Sequence, residues 1–371
     1  MIPLTTINFN LMKYRHLILI ILLSVSGSLG SYAQKREFDH IKRQTIGGYN
    51  VYFGTLHNHS NVSDGLGTPH DVYYYAYRFS DMDFFSLADH DLWIEPSEWD
   101  AMKIAADEFN KDGVFTTFRG FEWSSDVGHV AVINSEEYCS CKAEPENTFT
   151  GLLNWVNKTE CVAFFNHPGR EDVNNNEFNH FTDTPSDKFV GMELWNGRNE
   201  FSRYYYNDGY YPNDDKKSFY DEANMRGWKL GATGSEDNHR GDHGNYTQKR
   251  LAILADTLTR SALYEALKSR RFYSTLDKTL ALSFKVGGNE MGAIIKSDTY
   301  SFIVSASDTE NEIFTIVQMY KNGKRLNEWN IIELDVTITG EIDTSPGDYY
   351  YVKVTQQDGN EAISSPVFIE N

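Results

Sequence analysis

From Tyr49 onward, apolar runs rich in Val, Phe, Ile and Leu recur at 49–56, 83–88, 114–121, 128–133, 161–166, 189–195, 229–233 and 249–255. Runs of this length read as strands, and the segments between several of them carry helical period. Thr68-Pro69 opens the first helical segment, with Pro in the permitted first turn. A second begins at Ser97, keeps an amphipathic pattern to Phe109 and ends near Gly113. Others run from Thr148 to Lys158, Lys216 to Arg226 and Ser261 to Arg271. Strands alternating with helices imply parallel β and an α/β fold. Seven or eight such units favour a barrel over an open sheet, and residues 48–276 are expected to form it.

After Leu276 the texture changes. Leu280–Val286, Tyr300–Ser305 and Tyr349–Thr355 alternate with period two, and Gly287-Gly288, Asn322-Gly323 and Asp358-Gly359 separate them as turns. Residues 277–371 are therefore expected to form a small antiparallel β domain, sandwich-like in build.

The opposite end reads as a targeting segment. Lys13, Arg15 and His16 precede an apolar run from Leu17 to Val25, followed by small residues up to Ser31-Tyr32-Ala33. This pattern fits a secretory signal peptide over residues 1–33, too short in its apolar part to be a stable membrane anchor. The expected destination is periplasmic or extracellular. In an oxidising compartment Cys161 has two possible disulfide partners, Cys139 and Cys141, and the sequence does not choose between them. The net charge of −19 argues against nucleic acid as a partner, because such binding needs clustered Lys and Arg. Acidity is well tolerated at a metal site, where each dication offsets two carboxylates.

The chemistry gathers at the strand ends. Gly54-Thr-Leu-His57-Asn-His59 closes the first strand, and Ser63-Asp64-Gly65 follows it. Alternate strand residues point the same way, so His57 and His59 can reach one metal together. Leu87-Ala-Asp89-His90 ends the second run and Gly120-Phe-Glu122 ends the third. Gly128-His129 opens the fourth, Asn166-His167-Pro168 ends the fifth, and Asp237-Asn-His239 ends a later one. In α/β barrels the C-terminal strand ends converge on one face, where active sites are built. Imidazole and carboxylate together suit Zn2+, Mn2+ or Fe2+. His16, His40, His70, His180 and His243 lack this setting and read as surface or core residues.

As an ordered set, these motifs resemble the polymerase-and-histidinol-phosphatase (PHP) superfamily. Glu193-Leu-Trp195-Asn-Gly197, Gly234-Ser-Glu-Asp-Asn-His-Arg240 and the tail Tyr350–Gly359 with Ser364-Ser-Pro366 are similar to its CehA/McbA-like branch. The resemblance covers roughly residues 50–371 and implies a distorted (β/α)7 barrel with two or three divalent metal ions. By that resemblance His57, His59, Glu122 and Asp237 would hold a first metal. Glu122 would bridge to a second, held also by His129 and His167, and Asp64, His90 and His239 would hold a third. Asp89 is expected to support ligands without being one. Asp237 and His239 are also candidates to shuttle protons.

The resemblance implies a hydrolase that uses a metal-activated hydroxide at a trinuclear site. Arg170 and Arg240, each just past a histidine motif, are candidates to clamp an anionic group, which tilts the reading toward a small phosphate ester as substrate. A carbamate, ester or amide hydrolase on the same metals is the alternative. A non-catalytic glycan binder is a third reading, set against the full ligand set. Trp195 and Asn196 belong either to the pocket or to the core.

Overall fold

A computed structural model describes residues 43–168, 184–197 and 218–371. The expected signal peptide and Arg170 lie outside the described residues. Within residues 43–371, which cluster as one compact unit, five helices accompany 22 strands among the described residues.

The helices start where their caps dictate. Thr68 accepts from the Asp71 backbone N–H while the Asp71 carboxylate accepts from the Thr68 backbone, closing a capping box before Pro69–Phe79. Thr148, Ser218 and Thr259 cap Phe149–Lys158, Phe219–Met225 and Arg260–Lys268 in the same sense, by accepting from a first-turn N–H. The Pro96–Phe109 helix begins a residue ahead of Ser97, with Glu98 reaching back to the Glu95 N–H at 2.9 Å.

The sheets depart from a simple barrel. Tyr49–Thr55, Phe84–Ser86 and Thr116–Phe118 run parallel, as do Val162–Asn166, Phe189–Trp195 and Gly231–Gly234. Gly120–Ser125 and Gly128–Ile133, however, pair antiparallel. Only Asp126 and Val127 separate them, which suffices for a hairpin and leaves no room for the crossover that a parallel pair needs. Arg250–Ala255 likewise runs antiparallel to Tyr49–Thr55 and to Phe272–Thr275. The described strands fall into sheets of twelve, six and four, with no closed barrel among them. The architecture is mixed α/β, richer in strands than the alternation of runs implied.

Beyond Leu276 the chain is all strand among its regular elements. Leu280–Val286, Thr299–Asp308 and Asp335–Asp343 form one antiparallel layer. Phe314–Lys321 and Tyr349–Gln356 pair in another, and Leu282, Phe284, Val304, Val317, Val352 and Val354 share the apolar core between them. At Asn322-Gly323 both residues have positive φ, 53° and 74°, as a two-residue hairpin of this hand requires. This β layer is not detached from the rest, because Glu361–Ser364 pairs antiparallel with Phe272–Thr275.

A buried carboxylate marks one junction. Asp221, in the helix Phe219–Met225, accepts from the Tyr349 hydroxyl at 3.0 Å and the Tyr351 hydroxyl at 3.3 Å. A Cβ at Gly323 would stand 2.7 Å from its carboxyl carbon. Burial pushes Asp221 up to about 6, against the help of its hydroxyl partners. Its folded pKa thus lies above the unfolded value. Its stabilising contribution is complete below about pH 4 and is lost as pH rises through about 6, a swing of about 3 kcal/mol. Asp221→Asn is expected to remove that swing, leaving the variant more stable than wild type at pH 8. Urea midpoints for both proteins at pH 5 and pH 8 check this, and an unchanged difference between them would refute it.

Candidate metal centre

Six strands or strand ends deliver side chains to one point. His57 and His59 follow Tyr49–Thr55, His90 ends Asp89–His90, Glu122 lies in Gly120–Ser125 and His129 in Gly128–Ile133. His167 follows Val162–Asn166, and Asp237 and His239 follow Gly231–Gly234. All nine residues expected as metal ligands come together, Asp64 from the loop after His59 included.

Glu122, fully buried, lies at the centre. Its Oε1 is 3.1 Å from His57 Nε2, 3.3 Å from His129 Nδ1 and 3.4 Å from His167 Nε2, and its Oε2 is 2.7 Å from His90 Nδ1. Asp237 Oδ1 stands 3.3 Å from His57 Nε2 and 3.2 Å from His59 Nε2. Asp64 Oδ1 is 3.1 Å from His239 Nε2 and 3.6 Å from His90 Nε2. Compact donor groups form from His57, His59 and Asp237, from His57, Glu122 and His167, from His90, Glu122 and His129, and from His59, Asp64, His90 and His239. These groups overlap more than the expected division: Glu122 is absent from the group of His57, His59 and Asp237, and His57 and His90 each also fall in a group with Glu122. His129 and His167 fall in separate groups, each with Glu122, and His59 joins the Asp64 group as well as the Asp237 group.

The donor set fits divalent cations, and the hydrogen bonds behind it say why. His57 Nδ1 lies 2.9 Å from Glu193 Oε1, His59 Nδ1 lies 3.2 Å from Ser63 Oγ, and His239 Nδ1 lies 2.9 Å from the Asp237 carbonyl oxygen. With Nδ1 donating outward, each ring turns the lone pair of Nε2 toward the cluster, the tautomer a metal ligand needs. His57 Nε2 and His59 Nε2 face each other at 3.2 Å, close enough for both to reach one cation. The chain would hold such cations through the nine residues named.

Burial alone would raise the Glu122 carboxyl, yet His57, His129 and His90 outweigh it and hold Glu122 well below the usual carboxylate range. His59 is pushed well below the ordinary imidazole value, first by burial and then by His239 and His90 nearby. His57 goes the other way, because Asp237, Glu122 and Glu193 overcome its burial. Two of the site residues carry backbone strain. Asp237 and His167 both have positive φ, 44° and 25°, a region that non-glycine residues enter at a cost.

The surroundings supply support that local spacing did not reveal. Glu193 accepts from the His167 backbone N–H at 2.8 Å and from the Asn196 amide at 2.7 Å, besides meeting His57. Asn166 donates to Glu122 Oε1 at 2.7 Å. Asp89 accepts from the backbone N–H groups of Ser60 and Ser63 and from both hydroxyls, fixing the loop that carries Asp64. Trp195 packs in the core. Arg240 is exposed, with its guanidinium carbon 5.6 Å from the Tyr246 ring centroid. His243 is fully buried against Phe85 and belongs to the core. All three cysteines are free thiols, so the disulfide considered for Cys161 does not form.

Among the described residues the centre is most exposed at its Asp64 and His239 edge. His57, His59, Glu122 and His167 are almost fully buried, whereas the Asp64 side chain is 48% exposed and that of His239 29%. At the open edge Trp93, 49% exposed, meets the His90 ring edge-on at 5.4 Å.

Comparison with known proteins bears on the fold. A two-domain protein from Bacteroides vulgatus, containing a predicted PHP-like metal-dependent phosphoesterase, superposes with a TM-score of 0.51 at 14% identity. The match covers 88% of this chain and 98% of that one, so the two share a fold. A lesion-specific endonuclease from Pyrococcus furiosus aligns with a TM-score of 0.37 at 13% identity, over 59% of this chain and 56% of its own. Residues 83–150 match a family described as a protein of unknown function (DUF3604). Among curated sequences, an uncharacterized protein of Chlamydia pneumoniae is 21% identical over 359 residues, 86% of this chain and 57% of that protein. Another from Chlamydia muridarum is 23% identical over 147 residues, 35% of this chain and 24% of its own length. The chain thus spans little more than half of the first relative and about a quarter of the second.

Proposed function

We propose that this protein is a PHP-type metal-dependent hydrolase, acting as a phosphoesterase on a small anionic substrate. The observation that carries the reading is the convergence of six imidazoles and three carboxylates, with the Nδ1 atoms of three rings each within 3.2 Å of an oxygen. Assignment to the CehA/McbA-like branch rests on the motif resemblance. Export to the periplasm or beyond rests on the leader-like residues 1–33.

Bound divalent cations would supply Lewis acidity, lowering the pKa of water and polarising the substrate oxygen. The chain's own residues do the rest. Glu122 and Asp237 bring fixed negative charge to the buried floor, and Glu193 and Asn166 hold the groups around them in place. Asp64, His239 and His90 form the exposed edge, so the substrate would approach there. Arg240 follows His239 on that exposed side and can meet an anionic group with two parallel N–H bonds. Trp93 and Leu66, 61% exposed, offer apolar surface for the organic part of an ester. Arg170 is a second candidate for the anion, by its place after His167-Pro-Gly.

The test is hydrolysis of phosphate monoesters, phosphate diesters and carboxyl esters by protein loaded with Zn2+, Mn2+ or Fe2+. Metal-dependent release of phosphate is the expected result. Turnover confined to carboxyl or carbamate esters would transfer the same centre to the alternative chemistry. Failure to retain metal would overturn the hydrolase reading. With a phosphate ester as substrate, Arg240→Ala is expected to raise KM about tenfold with little change in kcat, and a fall in kcat alone would contradict the binding role.

A further inference from the structure

We propose that, on the hydrolase reading of this centre, the buried pair Glu236 and Arg250 positions the loop that presents His239 and Arg240 at the open edge. Residues 235–249 join Gly231–Gly234 to Arg250–Ala255. Glu236 and Arg250 stand at the two ends of that loop, 0% and 1% exposed, with Arg250 Nη1 3.1 Å from Glu236 Oε1. Asp81 Oδ1 adds a longer contact, 3.5 Å from Arg250 Nη2.

Beyond these charged contacts the two side chains bind the backbone of the loop. Glu236 accepts from the Gly244 N–H at 2.6 Å and from the Thr247 N–H at 3.1 Å. Arg250 donates to the carbonyl oxygens of Gly244 at 2.6 Å, Thr247 at 2.9 Å and Lys249 at 2.8 Å. Gly244 and Thr247 are each held through both N–H and C=O. A buried ion pair is a weak stabilising device, because taking two charges out of water offsets most of their attraction. What this pair supplies is geometry, since a planar fork of donors beside a carboxylate fixes two N–H groups and three carbonyls together.

The first part of the loop is fixed separately. The Asp237 N–H donates to the His57 carbonyl at 3.1 Å, and the His59 N–H donates to the Asn238 carbonyl at 3.0 Å. Asn238 Oδ1 accepts from the Arg240 N–H at 2.7 Å, and its Nδ2 donates to Asp242 Oδ1 at 3.1 Å. The Asn245 N–H donates to the Asp242 carbonyl at 2.9 Å, which joins this turn to the clamped segment. Asp237 is thus pinned by the neighbouring strand end, whereas His239 and Arg240 lie between that pin and the clamp at Gly244. Glu236 and Arg250 touch neither His239 nor Arg240 and act on them through the loop.

The test is Zn2+ binding by the full chain, measured by competition with a chelator, in Glu236→Gln, Arg250→Lys and Gly244→Ala. Lysine keeps the charge of Arg250 but loses the fork, which separates ion pairing from the hold on the backbone. Gly244→Ala leaves both charges in place and displaces the loop, because φ there is 82° and a Cβ would run into Ser80. It reports even if the charge variants fail to fold. Each variant should weaken by about tenfold the zinc equivalent that His239→Ala loses, with the buried equivalents retained. In the His239→Ala background the same substitutions should leave zinc affinity unchanged, because the edge cation is already gone. Unchanged affinity in the folded variants, or an equal loss of every equivalent, would overturn the positioning role, whatever happens to Tm. A lack of turnover on every ester would count against the hydrolase reading and leave this zinc comparison standing, whereas wild-type protein that retains no zinc would overturn both.

Discussion

Glu122→Gln is expected to abolish turnover, by about three orders of magnitude, and to lower the cation content of the purified protein. The amide keeps the size of the carboxylate but loses its charge and one of its two acceptor oxygens. Those oxygens stand at the meeting point of five imidazoles: His57, His129 and His167 on Oε1, and His90 and, farther off, His59 on Oε2. No other carboxylate in the cluster touches as many. Charge stabilisation at such centres is worth several kcal/mol, and about 1.4 kcal/mol corresponds to a factor of ten in rate. His239→Ala provides the contrast. His239 belongs to the exposed group with Asp64, His90 and His59, so its loss should strip cation from the open edge and leave the buried groups largely loaded. Metal analysis after dialysis and steady-state kinetics on both variants decide the matter. Full activity in Glu122→Gln would mean that the central carboxylate has no part in the reaction.

What could be read along the chain was whatever chemistry leaves a local mark. His57 and His59 alternate on a strand end, Asp89 adjoins His90, and Asp237 stands two residues before His239, so each group shows in a short stretch of sequence. Helix starts were legible for the same reason, since Thr68-Pro69 or Thr148 declares a cap without reference to distant residues. Pairing partners leave no such mark. The antiparallel turn at Asp126-Val127 looked like one more step in an alternating series, because run length does not encode direction. The pairing of Tyr273 with Ser364 joins segments ninety-one positions apart and has no local signature. The division of ligands among cations is equally non-local. It depends on which of its neighbours Glu122 faces, which only the meeting of several strands determines.

Glu193 is the residue whose importance the structure adds, and Glu193→Gln is expected to cost 10- to 100-fold in cation affinity, the usual effect of losing a ligand's supporting carboxylate. Its role in the sequence was a word in a motif, with nothing to connect it to His57. In the folded chain one oxygen meets His57 Nδ1 at 2.9 Å while the other accepts from the His167 N–H and the Asn196 amide. Every one of these partners is a donor when His57 is in the ligand tautomer. Burial raises the Glu193 carboxyl, but His57 and His167 more than compensate and hold it below its ordinary value, so it stays charged. A glutamine must turn its NH2 toward one side or the other. Facing His57, it sets donor against donor and pushes the imidazole toward the tautomer whose lone pair points away from the cluster. Facing His167 and Asn196, it frees a backbone N–H at a residue already held at φ 25°. Either way the buried floor loses its arrangement without losing a ligand. The measurement is zinc affinity by competition with a chelator, alongside thermal unfolding of the metal-free protein. Weaker affinity with an unfolding temperature close to wild type marks a positioning role. An unchanged affinity would mean that His57 finds its orientation without Glu193.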